Sequence, residues 1–342
     1  MQSNRPTALH FSPRILYLSQ NPACVQQVLA GEQLSLAAAQ PLRDDVSTDE
    51  ITPIAILTHF DDALGHYPYS GFQAGGVFPI AAGAMRGSGI EVVVAGKRYG
   101  KGSSREHSPM AEKLAGVRLV IAESFERIYR QNADNIGLIT STDLSLIPRI
   151  AAGEAIAWQE LLAGRDALAA AILVQGGLLA FGRTHLANGA DLASAAQSAP
   201  QTTQPRTLFE KIVARHALAT AVTPAQPVAG DGAFVRADWR FIHEYYTGMA
   251  AHMLHASLGR PLALIDPASI LVFEDHTSYV QESPAHVRGG LVPNVQRMVQ
   301  AQRSFAADYG LHSYRTLTED EALRDDGSNV AGISHAMMTE RH

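Results

Sequence analysis

The sequence predicts an α/β fold in two parts, and three observations predict it. Residues 90–124 run from an apolar β-branched stretch through a Gly loop into helical spacing, then out into a second apolar stretch. That is the order strand, loop, helix, strand. A second apolar run, Ile270 to Phe273, leads to Asp275 and His276, at the carboxyl end where open α/β sheets place their sites. Between the two, residues 187–206 are mostly Ala, Ser, Gln, Thr and Pro, with hardly a large apolar residue after Leu192, the composition of a flexible linker. The expected division is 1–186, linker 187–206, and 207–342.

Length and composition fit this division. A chain of 342 residues holds about two domains, each long enough to bury a core. A net charge of -6, with no run of Lys or Arg, excludes nucleic acid as a partner. Cys24 is the single cysteine, which excludes an intramolecular disulfide and a thiolate cluster site. The start, MQSNRPTALHF, has no apolar leader core. The most apolar tract, Ala167 to Gly182, is broken by Gln175-Gly176-Gly177 and is too short to span a bilayer. The expectation is a cytoplasmic protein with no membrane partner.

In chain order, RILYL (14–18) gives a short strand signal beside an Ala/Leu-rich helical pattern. PLRDDVSTDEITP (41–53) is a loop by composition. Asp44, Asp45 and Asp49 within it lack the spacing of a calcium loop and read as solvated turn acids. SFERIYRQNADNIGL places Phe125, Ile128, Tyr129 and Asn132 on one helix face, which Asn135 and Gly137 end. Residues 143–184 give a helical segment and then a closing strand signal, LLAFG. After the linker, Thr207 and Glu210 form a capping-box pattern, and nine of the fourteen histidines follow.

The loop Gly100-Lys101-Gly102-Ser103-Ser104-Arg105 carries the first chemistry. Unpaired N–H groups and a helix N-terminus make it an anion platform, and Arg105 can grip a carboxylate bidentately. The same residues read equally well as a tight turn whose serines cap the helix. The spacing is neither a Walker loop nor Gly-x-Gly-x-x-Gly, so phosphate nucleotides are not the first expectation. Asp275 beside His276 is a general acid/base candidate, or a surface ion pair. Arg86, in the Gly-rich segment 71–89, is a candidate second carboxylate contact, or part of a structural turn.

STDEITP (47–53), GKGSSREHSPMA (100–111) and IAESFERIYRQNADNIGL (121–138) together resemble the small subunit of the aconitase and 3-isopropylmalate dehydratase (isopropylmalate isomerase) family. TLFEKI (207–212), Asp231-Gly232, HEYYTG (243–248), EDH (274–276) and GISH (332–335) resemble the opening of the family's large subunit. The resemblance implies a swivelling β/β/α domain followed by an incomplete α/β/α large-subunit domain. It implies a hydro-lyase that dehydrates and rehydrates a hydroxy di- or tricarboxylate, isopropylmalate- or citrate-like, on a [4Fe-4S] cluster. By position, Ser103 matches the catalytic base, and Ser104 and Arg105 match the substrate-carboxylate contacts. Asp49 matches a supporting acid. Asp275 and His276 match the pair that assists hydroxyl departure, and His335 matches a further active-site histidine with Glu340 behind it.

The chain also departs from the family. A following Asp-Ser-His segment and three cluster cysteines are absent, Cys24 precedes the first motif, and Ala336 stands where some members carry a polar side chain. No metal ligand is therefore assigned to this chain. The expectation is a piece of a fused enzyme, or a subunit completed by a cysteine-bearing partner. A second reading is a non-catalytic carboxylate-binding or assembly module that has lost the iron chemistry. A third is a cluster-free enzyme binding a divalent metal through Asp275, His276 and His335, although adjacent strand residues point to opposite sides.

Overall fold

Strand formation follows the apolar β-branched runs. In the computed structural model, Ile15–Tyr17, Val92–Ala95, Leu119–Ala122 and Ile139–Ser141 are buried throughout and pair in parallel, in sequence order. Register is set by pairs such as Val92 with Leu119 and Ile15 with Val92. Strands covered on both faces lose the alternation of half-exposed sheets, which is why these read as continuous apolar runs. The structure describes residues 6–187, 205–218, 223–224, 226–276, 283–290 and 292–325.

Contacts divide the chain into two units, residues up to 56 with 62–235, and 57–61 with residues from 236 on. Most of the expected linker lies outside the described residues. Helix Leu208–His216 starts on the expected capping box of Thr207 and Glu210, and groups with the first unit.

In the first unit, helices Pro22–Ala30, His107–Ala115 and Arg127–Ile136 lie in the connections between the parallel strands. Glycines in the left-handed region, Gly31, Gly116 and Gly137, end all three. Two local readings are corrected here. The LLAFG stretch is part of helix Leu178–Ala187, not a strand. Gly176 and Gly177, both at positive φ, break the chain after Ala167–Val174, and Phe181 then packs on Leu168 and Ile172, a helical i, i+3 pattern from Leu178 hidden in an apolar run. Phe125 precedes its helix, which begins at Arg127, and Ile128 is exposed; the buried face is Tyr129, Ala133, Asp134 and Ile136.

The second unit repeats the parallel logic on a smaller scale. Arg240–His243, Ile270–Phe273 and His312–Tyr314 form a three-stranded parallel sheet with Ile270–Phe273 in the middle, and helices Glu244–Leu258 and Val292–Tyr309 lie in the connections. No single described helix is long and apolar enough to cross a membrane, and the apolar pair Ala167–Val174 and Leu178–Thr184 is bent by 89°.

Candidate functional site

The Gly loop leaves the carboxyl end of Val92–Ala95 and is fixed from beneath. Gly100 and Lys101 donate to the Val46 carbonyl at 2.9 and 3.2 Å, and Thr48 donates to Lys101 O at 2.8 Å. The short helix Thr48–Ile51 thus lies along the loop, held at its own start by a capping box of Ser47 and Glu50. Thr48 Oγ1 donates to the Ser103 carbonyl at 3.2 Å. Gly100 has φ 81°, and a Cβ there would meet Tyr129 Cγ at 2.2 Å, so only glycine fits.

Ser103 and Ser104 are exposed, and Arg105 is buried beneath them. Neither serine is the N-cap of helix His107–Ala115; that position is Glu106, whose side chain makes no cap hydrogen bond. Arg105 Nη1 donates to Asp49 Oδ1 in a short ion pair, and to the Thr52 carbonyl at 3.5 Å. Asp49 is therefore the counter-ion of Arg105. The other loop acids also have fixed partners while staying partly exposed. Asp44 accepts from Lys97 N at 2.7 Å, and Asp45 accepts from Arg98 Nε at 2.6 Å. The Arg98 hydrogen bonds hold the Asp45 carboxyl down at about 2. Arg86 is exposed and donates to Asp62 O at 2.9 Å. The structure brings Ser103, Ser104, Arg105 and Asp49 together.

Beneath the loop lies a buried group the motifs did not reveal. Glu112 accepts from the phenols of Tyr69, Tyr99 and Tyr129, each at 2.5 Å, and Tyr69 and Tyr99 oxygens lie 2.9 Å apart. Burial raises the Glu112 carboxyl to about 7, against the lowering effect of the three phenols. Three phenol protons cannot serve four close oxygen pairs, whereas a protonated Glu112 supplies the fourth. The sequence signal was a Glu on the buried helix face of Ser108, Ala111 and Ala115, where the pattern calls for an apolar residue. Ser108 adds a second hidden link, with Thr52 Oγ1 at 2.7 Å and Thr48 O at 3.2 Å.

In the second unit, Asp275 and His276 follow the middle strand as expected. Their environments differ, with Asp275 7% and His276 41% exposed at the side chain, and His276 Nδ1 lies 3.9 Å from Asp275 Oδ2. Asp275 N donates to Glu244 Oε2 at 2.9 Å. His335 and Glu340 lie outside the described residues.

A [4Fe-4S] cluster does not fit this chain. Cluster irons need several thiolates, and Cys24 is the one cysteine, buried in helix Pro22–Ala30 with its Sγ 3.7 Å from Ala38 O.

Comparison with known proteins gives the family. The model of the aconitase C-terminal domain matches residues 73–142, which contain the loop and the buried Glu112. The 3-isopropylmalate dehydratase small subunit of Desulfovibrio desulfuricans is 33% identical over 164 residues, 44% of this chain and 95% of that subunit. The subunit of the same description from Syntrophus aciditrophicus is 40% identical over 116 residues, 33% of this chain and 65% of that subunit. A solved 3-isopropylmalate dehydratase from Methanocaldococcus jannaschii is 30% identical, with 43% of this chain and 92% of that chain covered and a TM-score of 0.32. The aligned segment thus spans just under two thirds of the Syntrophus subunit and nearly all of the Desulfovibrio one. On these relatives, whose names make them subunits of a lyase, the chain belongs to the family of 3-isopropylmalate dehydratase small subunits, of the aconitase group.

Proposed function

We propose that this chain serves a hydro-lyase that dehydrates and rehydrates a hydroxy di- or tricarboxylate, isopropylmalate- or citrate-like. The observation that carries the reading is Arg105, a buried guanidinium oriented by Asp49 and Thr52 O directly below two exposed serine hydroxyls. A substrate carboxylate takes the planar fork of Arg105, assisted by Ser104, and each such donor contributes roughly 3 kcal/mol where charge develops. Ser103 takes the proton next to that carboxylate, its alkoxide supported by the helix N-terminus and the guanidinium. Asp49 is a positioning residue that keeps Arg105 in place. In the second part, read as the start of a large-subunit domain after a linker at 187–206, Asp275 and His276 supply the proton to a departing hydroxyl. Arg86 keeps the role of a second carboxylate contact, and His335 with Glu340 that of a further active-site pair. A large-subunit partner bearing the cluster cysteines completes the enzyme.

Assay of the chain with such a partner tests this. Ser103→Ala should abolish turnover while substrate binding stays within a few fold, and wild-type turnover in that variant removes Ser103 from its role. Arg105→Lys should weaken substrate binding about tenfold or more, because the fork is lost.

A second reading has its own observation. The one cysteine is buried, and Arg105 already carries an ion pair, as expected of a carboxylate-binding or assembly module without iron chemistry. Failure of any cysteine-bearing partner to restore turnover, with substrate binding retained, supports that reading.

A further inference from the structure

The carboxyl ends of two neighbouring parallel strands in the second unit bring two imidazoles and a buried carboxylate together. Phe273 pairs with His243 in register, so His276, three residues beyond Phe273, comes beside the end of the adjacent strand. The rings of His243 and His276 have centroids 4.2 Å apart and are tilted by 30°. Glu244 follows His243 as the first residue of helix Glu244–Leu258 and is 1% exposed. One ligand atom from each of His243, Glu244 and His276 lies within 4.8 Å of the other two.

We propose that His243, Glu244 and His276 bind one divalent first-row transition cation. Two imidazole nitrogens and one carboxylate oxygen suit Zn²⁺, Fe²⁺, Co²⁺ or Mn²⁺, and they do not suit Ca²⁺ or Mg²⁺, which take oxygen ligands. Such an ion holds its ligands at about 2.0–2.2 Å, so the three atoms close by about 1 Å on binding, a movement within reach of the half-exposed His276.

The surroundings fit the same role. The Asp275 amide donates to Glu244 Oε2 at 2.9 Å, which fixes the plane of the carboxylate. Asp275 Oδ2 lies 3.9 Å from His276 Nδ1, beyond hydrogen-bond distance but adding negative charge beside the imidazole. The carboxylate that groups with both imidazoles is Glu244. The site uses none of the Gly-loop residues; it takes His276 as a metal ligand in place of the proton donor of the hydro-lyase reading, and Co²⁺ binding is read without turnover, so the two fail separately.

Titration of the full chain with Co²⁺ tests the site, read by its visible d–d bands and by equilibrium dialysis. The expected result is one Co²⁺ per chain, released by a chelator, with affinity lowered about tenfold or more in His276→Ala and in Glu244→Gln. His312→Ala, in the third strand, should bind as wild type. Circular dichroism checks that each variant is folded, and His276→Ala, at a half-exposed position, keeps the test valid if the Glu244 variant fails to fold. No binding at millimolar Co²⁺, or an unchanged spectrum and affinity in His276→Ala, would overturn the proposal.

Discussion

The loop after Ala95 and the turn after Phe273 both leave the carboxyl end of a buried parallel strand, yet different interactions build them. In the first unit the loop is pinned by backbone hydrogen bonds from 46–48 and by carboxylates seated on Arg98 and Arg105, above a closed network around Glu112. In the second, the strand end carries tilted imidazole and tyrosine rings beside Glu244, with Tyr245 4.9 Å and His243 4.2 Å from the His276 ring. A pinned platform suits an anion held by donors already in place. A set of polarizable rings around one carboxylate suits a cation that draws its ligands in.

The contrast is tested most strongly at buried charge. Arg165 is 2% exposed at its side chain, holds Asp134 through contacts of 2.8–3.1 Å, and reaches Thr140 Oγ1 at 2.8 Å. Arg165→Met leaves the Asp134 carboxylate buried without its hydrogen-bonded partner and should cost about 3–5 kcal/mol in urea unfolding. Arg260 and Asp308 of the second unit form an exposed pair, and Arg260→Met should leave the midpoint unchanged. Equal midpoint shifts would erase the distinction.

Backbone constraint gives the next effect. Gly100→Ala should cost about 3 kcal/mol, because the new methyl collides with the Tyr129 ring at a left-handed position. Gly310→Ala, with φ 61° and nothing within 4 Å, should cost only about 1 kcal/mol. The two denaturation midpoints measure the difference that packing makes at one backbone conformation.

The Glu112 network predicts a pH dependence. Folding raises this carboxyl from 4.5 to about 7, so between those values the folded chain binds more protons than the unfolded one. Its contribution is complete below pH 4.5 and is lost as pH rises through about 7, at most about 3 kcal/mol. Glu112→Gln should flatten this descent while keeping the phenol contacts. A slope in the variant equal to that of the wild type would place the titration elsewhere.

Much of the molecule was legible in the chain. Continuous apolar runs at 90–95, 117–122 and 270–273 announced parallel strands, because strands buried on both faces carry no polar alternation. The capping box at Thr207 and the glycine at 137 marked helix ends through local backbone chemistry. The Ser-Ser-Arg loop and its family motifs marked the candidate site. LLAFG misled because a short apolar run fits either period, and only the turn at Gly176-Gly177 and the docking of Phe181 decide for a helix.

Local pattern determines which elements form; it does not determine which distant side chains meet. Arg105 and Asp49 are 56 residues apart, Tyr69 and Glu112 are 43 apart, and Asp275 and Glu244 are 31 apart. Local sequence was enough for the strands at 15–17, 92–95, 119–122 and 270–273, for the loop and for the family. Packing alone reveals that Arg105 carries a counter-ion, that three phenols surround a buried acid, and that Glu244 comes together with His243 and His276. Those pairings arise where separate segments are packed together, and no periodicity within either segment encodes its partner.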